Sequence, residues 1–144
     1  MATHRAQATW EGDLGSGSGT AELASGAAPP FDVTWKGRVE GVGGQTSPEE
    51  LLAAAHASCF SMALSHELSQ AGNTPERISV SAAVSIEPVE GGFAVTESEL
   101  KVRGSVPGID NEAFTKAATA AAKGCPISGA LSGNVDISVE AELE

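Results

Sequence analysis

Tyrosine is absent from this chain, and aromatic residues of every kind make up only 4% of it. A core built from such a sequence relies on Ala, Val, Leu and Ile. Their smaller side chains each remove less area from water, which gives a slight lean towards association with a second copy. Basic residues are scarce as well: eight Lys and Arg stand against nineteen Asp and Glu, for a net charge of −11. Binding phosphate backbones takes clustered Lys and Arg, so a nucleic-acid partner is excluded. A Lys or Arg that a site does need will stand out against its acidic surroundings. Long apolar runs are missing too. No stretch approaches the length of a membrane span, and the opening Met1-Ala-Thr-His-Arg-Ala6 lacks the charged-then-apolar plan of a secretory signal. The expected location is therefore cytoplasmic, with no membrane partner.

Cysteine is the remaining scarcity, with two in the chain. In a reducing cytosol a pair of thiols does not read as a structural staple. Free cysteine is often a small, buried, inert residue, and composition alone leaves inert and reactive readings level. The settings differ. Cys59 lies inside the apolar run Leu51-Leu-Ala-Ala-Ala-His-Ala-Ser-Cys-Phe-Ser-Met-Ala-Leu64, as a thiol in mid-helix. Cys125 sits in Lys123-Gly-Cys-Pro126, at a sharp turn where one helix ends and another starts.

What is present fits one globular domain over residues 1–144, 41% hydrophobic and 19% charged. Thr3 to Trp10 and Thr20 to Leu23 read as strands about the Gly15–Gly19 turn, and a third strand is expected from Phe31 to Lys36. Gly41-Val-Gly-Gly44 is a flexible connection. Ser47-Pro48-Glu49-Glu50 is a helix start: serine caps, proline suits the first helical position, and both carboxylates meet the positive end of the dipole. That helix should run to about Gln70, stop at Gly72, and be buried all round, because it is apolar or small on nearly every side. Pro75–Ile86 and Phe93–Val106 alternate as a hairpin about Gly91-Gly92. A helix follows from about Asn111 to Lys123, capped by Asp110, then a short helical turn from Pro126 to Leu131 and a strand from Asn134 to Leu143. The expected class is α+β with antiparallel pairing.

Thr46-Ser-Pro-Glu-Glu-Leu-Leu-Ala-Ala-Ala-His-Ala-Ser-Cys-Phe-Ser-Met-Ala-Leu64 closely resembles the OsmC/Ohr family of thiol peroxidases. Val106-Pro-Gly-Ile-Asp110 and Gly124-Cys-Pro-Ile-Ser128 match the family's second half, and Trp10-Glu-Gly-Asp13 its opening strand. His56 and the Phe60-Ser-Met-Ala-Leu64 tail favour the OsmC branch. The resemblance implies an intertwined homodimer, with antiparallel sheets wrapped around long central helices and active sites at the subunit interface. It implies reduction of hydroperoxides, preferentially organic ones, to alcohols. Cys59 would be the peroxidatic thiol and Cys125 the resolving one. Arg38 and Glu49 match the family's arginine and glutamate that ready the site, with Arg5 and Lys36 the other basic residues that could stand in Arg38's place. No bound cofactor is implied; an external dithiol, such as a lipoyl group, would return the electrons.

Chemistry gives each assignment a condition. A peroxidatic thiol reacts as thiolate, and burial in an apolar helix pushes its pKa up, so Cys59 needs a cation. Its helix offers no Lys or Arg between Glu49 and Gln70. Arg38 must come from outside, and a guanidinium there would also steady the departing alkoxide. Glu49 lies ten residues before Cys59, about 15 Å of rise and roughly 80° around the helix. It can serve that sulfur only from a partner's helix. Cys125, ahead of Pro126, sits where a helix N-terminus lowers a thiol's pKa, and residue chemistry alone would make it the better nucleophile. His56 reads as a packed, hydrogen-bonded histidine, and Phe60, Met62 and His56 are the expected walls of an apolar substrate pocket. No metal site is expected, because His56, Cys59 and Cys125 lack a paired ligand spacing and a fourth ligand. The competing reading is a binding module for an apolar or lipid-like ligand, with cysteines that take no part in catalysis.

Overall fold

The computed structural model describes residues 1–144. The chain gathers into two compact units, Met1–Leu51 and Leu52–Glu144.

The first unit holds a three-stranded antiparallel sheet of β1 (Ala6–Glu11), β2 (Ser18–Leu23) and β3 (Phe31–Val33), in that order. The strand expected from Phe31 to Lys36 stops at Val33, and helix α1 (Trp35–Val39) takes its second half. Thr34 causes the switch. Its backbone is extended, and its hydroxyl accepts the Gly37 N–H at 2.9 Å, so it caps a helix where alternation suggested more strand. The outcome matters because α1 carries Arg38. Ser47 caps the next helix as expected, its hydroxyl accepting the Glu50 N–H at 3.0 Å. That helix, α2 (Pro48–Gln70), starts in the first unit and continues into the second.

The second unit adds β4 (Arg77–Val89), β5 (Gly92–Ser105), α3 (Asn111–Gly124), α4 (Pro126–Leu131) and β6 (Asp136–Leu143), with sheet order β4-β5-β6. β4 and β5 form the expected antiparallel hairpin, turning through Gly91 and Gly92, both at positive φ. Ser85 pairs with Glu97 and Ile86 with Val95, which leaves Thr96 as an extra residue. This bulge resets the alternation of β5, so that Ser98, Leu100 and Val102 face inward. One pairing departs from the expected pattern: β6 runs parallel to β5. A parallel neighbour needs a crossover, and α3 with α4 provides it.

The core of this unit joins Phe60, Leu64 and Leu68 of α2 to Leu100 and Val102 of β5, Phe114, Ala118 and Ala121 of α3, and Cys125. On α2 the buried positions recur every fourth residue, from His56 through Leu68. The opposite side, at Ala54, Ser58, Met62 and His66, is exposed. The helix is therefore buried on one stripe and not all round, because in the single chain nothing covers its other apolar face. Close packing of α3 depends on Gly104. A Cβ there would meet the Phe114 ring at 2.6 Å.

Candidate active site

Cys125 lies in the one-residue joint between α3 and α4, ending the first helix and capping the second. Pro126 opens α4 without a wasted N–H, and the Cys125 sulfur accepts the Ser128 N–H at 3.5 Å. Cys59 stands on α2 immediately before the buried Phe60, half-buried at the edge of the core stripe. Core packing of α2 against this region brings the two sulfurs to 3.2 Å, both as free thiols. A disulfide bond is about 2.05 Å long, so a shift of about an ångström and the loss of two electrons would join them.

The environment divides the two thiols. Burial raises the Cys59 pKa, and the neighbouring Cys125 raises it further; a hydrogen bond from the Ile127 backbone opposes them without prevailing. Burial also acts to raise Cys125. There the Ser128 hydroxyl and N–H, the Cys59 thiol and the Ile127 N–H outweigh it, and the pKa falls below the usual thiol value. Within this unit the pair therefore holds its first negative charge on Cys125, as the helix-start setting foretold. No cation is among the groups acting on Cys59.

His56 is wholly buried one turn before Cys59. Its Nδ1 lies 2.7 Å from the Ser98 hydroxyl and its Nε2 2.8 Å from that of Ser128. Burial lowers its pKa and keeps the ring neutral. This is the packed, hydrogen-bonded histidine that the sequence suggested. The pocket of Phe60, Met62 and His56 is not assembled in the chain: Phe60 and His56 are fully buried, whereas Met62 is 71% exposed. Residues two apart on a helix point to nearly opposite sides, which an apolar run conceals. Sequence reasoning missed Ser98 and Ser128, although each leaves a signal. Ser98 is a polar residue at an inward position of β5, and Ser128 follows the capping Cys125 by three.

In the first unit, Arg38 of α1 meets Glu49 in the opening turn of α2. Nη2 donates to Oε1 at 2.7 Å, and Nε lies 3.1 Å from both carboxylate oxygens. The Glu49 side chain is only 6% exposed and that of Arg38 34%. Of the basic residues Arg5, Lys36 and Arg38, it is Arg38 whose guanidinium is held in this way. Glu50 instead accepts the Thr46 hydroxyl at 2.6 Å, which separates a helix-start role from that of Glu49.

Residues 41–140 match the family described as OsmC-like protein. The chain is 44% identical over 138 residues to peroxiredoxin OsmC of Escherichia coli (strain K12), covering 95% of this chain and 96% of that protein. It is 34% identical over 101 residues to an organic hydroperoxide resistance protein of Xanthomonas axonopodis pv. citri, 69% of each. The crystal structure of the organic hydroperoxide resistance protein OhrB of Bacillus subtilis shares the fold with a TM-score of 0.73 at 30% identity, over 96% of this chain and 98% of that one. Two thiols on the elements where the motifs placed them, in an α+β fold shared with these relatives, leave one conclusion: the chain belongs to the OsmC family.

Proposed function

We propose that this protein is a thiol-dependent peroxidase that reduces organic hydroperoxides to alcohols, with its 144 residues working as one domain in the cytoplasm. The observation that carries the reading is the 3.2 Å separation of two free sulfurs from residues 66 positions apart. In the first step the Cys59 thiolate attacks the terminal peroxide oxygen. The O–O bond breaks, the alkoxide leaves and takes up a proton as the alcohol, and Cys59 becomes a sulfenic acid. The Cys125 sulfur then attacks the Cys59 sulfur. The S–O bond breaks, the S–S bond forms, and the departing hydroxide combines, as water, with the proton that Cys125 released on ionising. An external dithiol, for which a lipoyl group is our candidate, reduces the disulfide and is itself oxidised to a disulfide.

The cation that Cys59 requires is assigned to Arg38, held by Glu49. Ten residues of one helix, about 15 Å of rise, separate Glu49 from Cys59, so the pair serves the thiol of a second copy. A homodimer with two sites at its interface follows. The uncovered face of α2 at Ala54, Ser58 and Met62 supports it, since an apolar helix face left open in one chain is a surface for another. Met62 then becomes a residue of that interface.

The test follows thiol loss and alcohol formation with cumene hydroperoxide and with hydrogen peroxide, on the wild type, Cys59→Ser and Cys125→Ser. Cys59→Ser abolishes turnover, Cys125→Ser completes a single oxidation and stalls, and cumene hydroperoxide reacts faster. Full turnover in Cys59→Ser would overturn the role of Cys59, and a wild type that reduces neither peroxide would leave inert thiols and the apolar-ligand module as the better reading.

A further inference from the structure

A buried chain of polar groups runs behind Cys125 through the second unit. Ser98 of β5, His56 of α2 and Ser128 of α4 are each enclosed by the core, with at most 4% of any residue exposed. They touch in series, at 2.7 Å from Ser98 to Nδ1 and 2.8 Å from Nε2 to Ser128. Ser128 in turn donates its N–H to the Cys125 sulfur. Polar groups set this deep in an apolar core cost stability unless they are fully partnered, and packing alone would be served as well by apolar side chains. The end of the chain that reaches a reactive sulfur gives it a use.

We infer that His56 and Ser128 are positioning residues for the resolving step: His56 anchors the Ser128 hydroxyl so that the first turn of α4 presents the Ser128 N–H to the Cys125 sulfur. A neutral imidazole donates from one nitrogen and accepts at the other, so either tautomer ties both serine hydroxyls to the ring. The ring then remains neutral and donates nothing but a fixed hydrogen bond. Charge on Cys125 is what attacks the Cys59 sulfenic sulfur, so a donor held on Cys125 before the attack raises the fraction of sulfur ready to react. The groups that meet Cys125 are Cys59 from α2 and the Ser128 and Ile127 donors from α4. The only other titratable group in the chain of contacts is His56. The Ser128 N–H at the sulfur agrees with the lowered pKa of Cys125.

This inference rests on the peroxidase reading for its role, but it can be tested without it. In a Cys59→Ser background only Cys125 is left to alkylate, and its rate with iodoacetamide from pH 5 to 10 reports its thiolate directly. Adding Ser128→Ala should move that profile about one unit higher, which is about a tenfold loss of thiolate at neutral pH. His56→Leu should do the same, while His56→Gln, which keeps a donor towards Ser128, restores most of it. Ser128→Ala removes a single oxygen, so it keeps the test open should a His56 variant fail to fold. With Cys59 restored, rapid mixing with cumene hydroperoxide separates the two steps: in Ser128→Ala sulfenic acid forms at the wild-type rate, and disulfide follows about tenfold more slowly. Superimposed alkylation profiles with and without Ser128→Ala overturn the inference. A wild type that forms no sulfenic acid overturns the peroxidase reading, and the alkylation profile still decides the anchor.

Discussion

Between Leu52 and Glu144 ten apolar residues are buried, from Phe60 to Cys125, whereas between Met1 and Leu51 the buried residues are Thr46 and Glu49, both polar. The second unit has an interior of its own, with a helix stripe, one sheet face and α3 closing on one another. The first is a small sheet whose strand β1 is exposed at every position. A sheet of that kind has little to stabilise it alone. Its buried carboxylate is spent on a guanidinium. The two cysteines lie in the unit that has a core, and the Arg38–Glu49 pair in the unit that lacks one. In the dimer proposed above, the first unit gains a covered surface and the thiols gain a charge in one event, so folding and activation of the site are coupled.

Substitutions can separate those two contributions. Phe114→Ala empties the fully buried ring site beneath Gly104 and should cost about 3–5 kcal/mol in chemical denaturation, while the Arg38–Glu49 pair is untouched. Arg38→Ala acts the other way. Its kcat/KM for cumene hydroperoxide should fall about 10²- to 10³-fold, the range for loss of one donor at a developing oxyanion, and the nearly buried Glu49 carboxylate, left without its partner, lowers the unfolding midpoint as well. If folded Arg38→Ala keeps wild-type turnover, or Phe114→Ala loses turnover while still folded, the division of labour is wrong. Glu49→Gln keeps the shape and removes the charge that fixes the guanidinium. Its loss should be smaller than that of Arg38→Ala, and steady-state kinetics on the two variants will rank them.

The smallest expected effect lies in pH. His56 is held neutral by burial, so its folded pKa lies below the ordinary 6.5 and the unfolded chain takes up the proton first. The stability tied to the neutral ring is complete above about pH 6.5 and is lost as pH falls through the folded pKa. Denaturation curves between pH 5 and 8 should show this decline in the wild type and a flatter profile in His56→Gln.

Much of the chain from Ser47 onward was legible because its signals are local. Ser47 and Asp110 cap helices, Gly124 and Pro126 bracket Cys125, and period-two runs mark β4 and β5. What was hidden depends on partners distant in sequence. The parallel seat of β6 is set by the crossover, not by its own alternation, and α1 turned on a single hydroxyl of Thr34 within a run that read as strand. The buried stripe of α2 could not be told from its open face, because Ala54 and Met62 on the open side are apolar too and a histidine stands on each, His56 buried and His66 exposed. At the site the two cysteines were visible from their motifs and Arg38 from its rarity. Ser98 and Ser128 were not, since a serine gains meaning only when a buried histidine 42 or 72 positions away turns a ring nitrogen to it.

The central claim is that the cation of one chain activates the thiol of another. Subunits carrying Arg38→Ala and Cys59→Ser, each inactive alone, can be refolded together and assayed with cumene hydroperoxide. Random pairing makes half the dimers mixed, and each mixed dimer holds one intact site, so the account predicts about a quarter of wild-type activity. Activity no higher than that of the two parents, in dimers shown to be mixed, would contradict it.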